Sequence, residues 1–302
     1  MAIKIGTAPV SWGVMEVSGW GGQQSYESVL DEMRQAGYDG TELGPYDYFP
    51  SDPGRLTTEL SARGLELVAA FVPIPLADAG RHEAGFAEAM RTAELLSKSG
   101  ARLIVLADEM SAHRQAVAGR VDDSLDGPDG LNDEQWAAAA RILARVARAC
   151  RELGLDSVFH HHAATYVETP SEIERLCAEV DAELLGLCLD TGHYQYGGGD
   201  PLEAVRKHGS RIRHLHLKDI RPAVLDAVRR DGVDFLEAVR RDVFCELGEG
   251  AVDFPRVISE LTAAGFDGWA IVEQDTDATK PGVRPVESAI RSRLFLRDRI
   301  GL

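Results

Sequence analysis

The chain has 302 residues, 44% of them hydrophobic, with a formal net charge of −17. That is enough apolar content to bury a large core, and an α/β barrel commonly spans such a length as one domain. The acidic excess disfavours nucleic acid and anionic membrane surfaces as partners, because phosphate backbones are held by Lys and Arg displacing counterions.

Short β-branched or apolar runs alternate with longer amphipathic segments from end to end, the mark of repeated βα units. In chain order the strand-like runs are Ile3 to Ala8, Gly40 to Leu43, Glu66 to Val72, Arg102 to Leu106, Asp156 to His160, Leu185 to Leu189, Ile212 to Leu217 and Trp269 to Glu273. The helix-like stretches between them are Ser25 to Ala36, Pro53 to Arg63, Phe86 to Ser99, Asp133 to Leu153, Thr169 to Val180, Pro201 to His208 and Phe254 to Ala264. Asp200 before Pro201 reads as an N-cap with proline at the first helical position. Ala36 to Gly40 and Ala264 to Gly268 each place glycine just past a helix and before the next strand.

Eight alternations, with no GxGxxG turn after the first strand, predict a single closed (β/α)8 barrel over residues 1–302 rather than an open doubly wound sheet. Two stretches interrupt the pattern, at about 107–135 and 221–242, and insertions on such loops usually shape an active site. No apolar run reaches about 18 residues, and no signal-peptide order opens the chain, so a cytoplasmic protein without a membrane span is expected. Cys150, Cys177, Cys188 and Cys245 form no CxxC pair and read as free thiols.

In a barrel, residues that end different strands meet at one mouth. Strand five ends in His160, His161 and His162, and strand six in Asp190, Thr191, Gly192 and His193. Strand seven carries His214, His216, Lys218 and Asp219, and strand eight ends in Glu273, Gln274 and Asp275. Six of the nine histidines therefore sit at three consecutive strand ends. A lone histidine is usually structural, and Asp190 alone could cap the following turn. Four clusters in consecutive order point instead to a divalent metal held by imidazole and carboxylate. Period-two alternation puts His160 and His162 on one side of their strand with His161 on the other, and pairs His214 with His216. Lys218 faces the same way as His216 and could orient a substrate oxygen. Trp12, Trp20 and Phe71 lie near early strand ends, where they could form an apolar wall against a sugar face or pack in the core.

The strings His160-His161-His162-Ala163-Ala164-Thr165, Leu189-Asp190-Thr191-Gly192-His193, His214-Leu215-His216-Leu217-Lys218-Asp219 and Val272-Glu273-Gln274-Asp275 resemble the xylose-isomerase-like sugar isomerase/epimerase superfamily. Ala8-Pro9-Val10-Ser11-Trp12-Gly13 and Gly40-Thr41-Glu42-Leu43-Gly44 extend the likeness, nearest to its inosose dehydratase branch. The resemblance implies one divalent metal, Mn2+ or Co2+ first and Mg2+, Fe2+ or Zn2+ as alternatives. Asp190, His216 and Glu273 would be its ligands, with Glu168 as the fourth and His162 as the alternative, since relatives end strand five in a glutamate. It implies Trp12, Glu42, His193, His214 and Lys218 at the substrate, with Glu273, Glu168, His160, His162 and His193 as catalytic groups.

The implied reaction removes an α-proton from a keto-polyol or keto-sugar through an enediolate that the metal stabilises. The same enediolate serves dehydration, as in inosose dehydratase, or the alternatives of ketose isomerisation and 3-epimerisation. The partner is a small keto-polyol or sugar, and such barrels often form homo-oligomers. A nuclease on this scaffold would need a basic groove, which a net charge of −17 opposes.

Overall fold

The computed structural model describes residues 3–15, 20, 24–125 and 127–302. Nine parallel strand segments form one curled sheet whose two end segments are Glu66–Leu67 and Phe71–Ile74. These are the two halves of the third strand. Glu66–Leu67 pairs with the second strand, Gly40–Thr41, and Phe71–Ile74 pairs with the fourth, Leu103–Asp108. The chain between them stays bonded to both sides, through Val68 N–H to Thr41 O at 2.9 Å and Val105 N–H to Ala70 O at 3.0 Å. One strand thus closes the ring, and the architecture is the (β/α)8 barrel that the alternation predicts.

The remaining strands are Lys4–Thr7, Asp156–His160, Gly186–Asp190, Ile212–Leu217 and Trp269–Val272, first, fifth, sixth, seventh and eighth in turn. Several limits shift from the sequence reading. The second strand is only Gly40–Thr41, the fourth runs on to Asp108, and the eighth stops at Val272, one residue short of Glu273. A helix, Pro285–Arg299, follows the eighth strand and completes the outer ring. The helix expected from Phe86 begins earlier and spans His82–Lys98.

Local chemistry explains the helix limits. The Asn132 side chain accepts from Gln135 N–H while the Gln135 side chain accepts from Asn132 N–H, and Thr169 with Glu172 repeats this reciprocal cap. Asp200 Oδ1 accepts from Leu202 N–H ahead of Pro201. Gly37 and Gly265 take φ of 87° and 89°, where an L side chain would be strained, so the two glycine turns end their helices as expected.

Leu, Ile, Val and Phe side chains fill the space between staves and helices. Inside the barrel, Val158, Cys188 and Ile271 belong to a second small cluster, each two residues before His160, Asp190 or Glu273. Apolar packing therefore floors the site on the same strand faces that carry its polar groups. A third cluster lies on the inserted segments. Helix Ala112–Val117 occupies the first insertion, and Pro222–Asp231 and Phe235–Arg240 occupy the second. Phe235, Phe244, Val228 and Leu225 pack there against Tyr196, Ala163 and Ala164. All four cysteines are free, and among the described residues no helix is long and apolar enough to cross a membrane.

Candidate active site

Strand register builds the centre of the site. Asp190 lies directly opposite His216 across strands six and seven, and Ile271 lies opposite His216 across strands seven and eight. Glu273, two residues beyond Ile271, continues the ladder by donating its N–H to Leu217 O at 3.0 Å. Because side chains alternate, His160, Asp190, His216 and Glu273 all point into the barrel at one level.

Their donor atoms converge within 4.8 Å of one another. Asp190 Oδ2 is 3.5 Å from His160 Nε2 and 3.9 Å from His216 Nδ1, which is 3.3 Å from Glu273 Oε2. Asp190 Oδ2, His216 Nδ1 and both His160 ring nitrogens are buried without a hydrogen-bond partner. Buried polar atoms are normally paired, so one such atom from each of these side chains converging on a point matches the demand of a cation. Two imidazoles and two carboxylates suit a divalent transition ion. Asp190 also settles the capping alternative, because its Oδ1 accepts from His193 N–H at 2.8 Å and caps Thr191–Tyr196 while Oδ2 faces the group.

The charge balance agrees. Burial pushes the Asp190 carboxyl up, but Lys218, His193 and His160 outweigh it and hold the pKa well below the ordinary value. Glu273 follows the same pattern: burial raises it, while His216 and Lys218 bring it down to about 2.

Beneath this group, Glu42 Oε1 accepts from His214 Nε2 at 2.7 Å and from His216 Nε2 at 3.0 Å. That bond holds the His216 proton on Nε2 and presents Nδ1 to the group, the support that a metal-binding imidazole commonly receives. His161 faces the other side of its strand and accepts the Asp190 N–H at 3.3 Å through Nε2.

Above it, Lys218 Nζ donates to Asp275 Oδ1 at 2.7 Å and to His193 Nε2 at 2.9 Å. The ammonium also lies 3.3 Å from Asp190 Oδ2 and 3.2 Å from Glu273 Oε2. Burial disfavours its charge, yet Asp190, Asp275 and Glu273 hold Lys218 protonated. Gly192 makes room for this lysine, since a Cβ there would sit 2.7 Å from Lys218 Cγ. His162 Nδ1 is 2.6 Å from Ala163 O, which can only accept, so the proton is on Nδ1 and Nε2 carries the lone pair. Phe235 stands edge-on to His162, and Phe244 edge-on to His193.

These groups open into a cavity of about 350 Å³. Glu42, His160, His162, His216, Lys218 and Glu273 line it, as does Phe71. Other expected residues are placed elsewhere. Glu168 is not brought to the metal group: its Oε1 accepts from Gly119 N–H at 2.7 Å and its Oε2 from Ala164 N–H at 2.6 Å, tying the first insertion to the loop after strand five. His160, rather than Glu168, joins Asp190, His216 and Glu273, because its place at the end of strand five carries its side chain to their level. His162, the alternative, groups with His193 and Asp275 instead.

Trp12 points away into the core, where its Nε1 donates to Glu32 Oε2 at 2.7 Å. Trp20 packs in the cluster on the insertions. His214 lies beneath Glu42, and His193 lies behind Lys218, so neither is among the lining residues. Asp275, Asp108 and Gln115 line the cavity and were not singled out. Asp275 stood two residues after Glu273, a spacing that puts both on one side of an extended run and could have found it.

A family model described as xylose isomerase-like TIM barrel matches residues 30–299. The chain belongs to this family. Over 303 residues it is 35% identical to the inosose dehydratase of Geobacillus thermodenitrificans, covering 99% of this chain and 98% of that protein. Among solved structures it is similar to an IolI protein described with a bound zinc atom, at a TM-score of 0.71 and 16% identity over 98% of this chain and 97% of that one. An L-ribulose 3-epimerase superposes at a TM-score of 0.69 and 18% identity, over 98% of this chain and 93% of that one. At these identities the two structures speak for the fold.

Proposed function

We propose that this family member is a divalent-metal-dependent hydro-lyase that removes water from a keto-inositol or a related keto-polyol. The observation that carries this reading is the group of His160, Asp190, His216 and Glu273, whose donor atoms lie within 4.8 Å of one another, those of His160, Asp190 and His216 buried without a hydrogen-bond partner. The full-length likeness to inosose dehydratases favours dehydration over isomerisation or epimerisation. Those four side chains would hold the metal, with Mn2+ or Co2+ the first ions to test.

When bound, the ion would act as a Lewis acid on the substrate carbonyl and so acidify the adjacent C–H. Loss of water then needs one group to take the α-proton and another to protonate the leaving β-hydroxyl. We place the acceptor at His162 Nε2 on position alone: its lone pair is at the cavity wall, and burial together with His160 keeps it unprotonated, with its pKa lowered to about 3. Lys218 Nζ lines the same cavity, carries a proton, and is held in place by Asp275 and His193, to which it donates. Glu273 is held as a carboxylate by His216 and Lys218, which suits a ligand better than a base.

The test is to load the protein with Mn2+ or Co2+ and incubate it with keto-inositols, ketohexoses and 3-keto-glycosides in deuterated water. Deuterium at the α-carbon together with an unsaturated product supports the reading. Epimer or isomer formation without loss of water would replace dehydratase by the alternative. No exchange with any substrate would overturn the function for this class.

A further inference from the structure

Across the cavity from the strand-five-to-eight groups, the wall comes from the first insertion and the early strands. Its polar groups are nearly all committed. Asp108 accepts N–H groups from Leu76 at 3.1 Å and Tyr166 at 2.8 Å, and Glu109 is paired with Arg81. Gln115 is the exception, lining the cavity half-buried with its carboxamide making no hydrogen bond among the described residues.

The helix that carries it is unusually well anchored for six residues. Ser111 caps its start. Arg114, next to Gln115 and fully buried, bonds both Glu172 oxygens at 2.7 and 2.9 Å and Asp129 O at 3.0 Å. Just past its end, Gly119 N–H is held by Glu168. The anchored helix fixes where the amide can reach, so binding would order only the Gln115 side chain and not its backbone.

We infer that Gln115 is a specificity residue whose carboxamide binds one hydroxyl of an uncharged substrate. This rests on the proposed function. An amide offers a donor and an acceptor together, the same pair that a hydroxyl presents. Val10, Phe71 and Met110 line the same cavity and suit the C–H face of a ring. No unpaired cation faces this wall of the cavity among the described residues, since Arg81 is already paired with Glu109, so an anionic substituent would have no partner there.

The experiment compares metal-loaded wild type with Gln115→Leu on a keto-inositol and on its set of mono-deoxy analogues. Gln115→Met is run in parallel in case leucine is not tolerated at the site. Loss of one such contact should raise KM about tenfold on the parent substrate, with the larger part of the effect in KM rather than kcat. For the one analogue lacking the hydroxyl that Gln115 reads, variant and wild type should converge to within about threefold. A penalty of equal size on every analogue, or no KM change in either variant, overturns the inference while leaving the dehydratase reading standing. Absence of wild-type turnover with all of these compounds overturns the function, and the inference with it.

Discussion

The two halves of the cavity are built on opposite plans. Strands five to eight present His160, His162, His216, Lys218, Glu273 and Asp275, buried charges and imidazoles that bond to one another or converge on one point. The other half presents Ala8, Val10, Val14, Phe71, Pro73 and Met110, apolar surface broken by Gln115 and by Glu42, Asp108 and Glu109, whose carboxylates are bonded to neighbours. One half has the groups for chemistry and the other the shape for selection. A change in the first should therefore alter metal content and kcat, and a change in the second should alter stability and KM.

Asp190→Asn should have the largest effect. It removes a ligand charge while keeping an acceptor for the cap, and turnover should fall roughly 10³-fold, about 4 kcal/mol of barrier. Metal analysis of the purified variant should show a depleted ion. Retention of a full complement of metal would break the assignment of Asp190 to the centre.

On the opposite side, Arg114→Met strands Glu172 beneath the inserted helix, and breaking a buried pair in this way should cost about 3 kcal/mol. Thermal unfolding would register that loss, while metal content stays at the wild-type level. By contrast, removing the exposed Lys4–Glu66 pair should change stability by less than about 1 kcal/mol.

Glu42→Gln tests whether the support of His216 matters to the first half. Such partners typically contribute roughly 10- to 100-fold in metal affinity or activity. A metal titration that matches wild type would reduce Glu42 to a packing role.

A pH slope in stability is expected as well. Burial raises Asp108 to about 7 and Glu168 to about 7, despite the N–H groups that each accepts, helped at Glu168 by Arg114. Both bind protons more tightly folded than unfolded, so their contribution is present below the unfolded pKa near 4 and is lost as pH rises toward 7. Each group adds at most about 1.4 kcal/mol per pH unit in that window. Asp108→Asn should flatten the fall in stability between pH 4 and 7 in chemical denaturation, and an unchanged slope would show that Asp108 is not the source.

Much of this was legible in the primary structure because its causes are local. Alternating strand and helix periods, Asp200 before Pro201 and the two glycine turns depend on neighbours a few residues apart, and the barrel follows from counting them. Asp190, His216 and Glu273 were also readable, since a residue at a strand's inward end has one place to go. Glu168 misled because nearness in sequence to strand five says nothing about where a loop carboxylate turns, and backbone N–H groups from Gly119 and Ala164 claimed it. Trp12 misled because an aromatic at a strand end can turn to the mouth or the core, and the sequence leaves both open.

Sequence by itself determined the barrel, the strand ends that carry chemistry and the kinds of atoms found there. Tertiary structure alone decided which of three consecutive histidines joins Asp190, that Glu42 from strand two stands behind His216, and that Asp275 and His193 share Lys218. Those choices depend on strand register and ring orientation around a closed barrel, which are set by contacts between residues as far apart as Glu42 and His216.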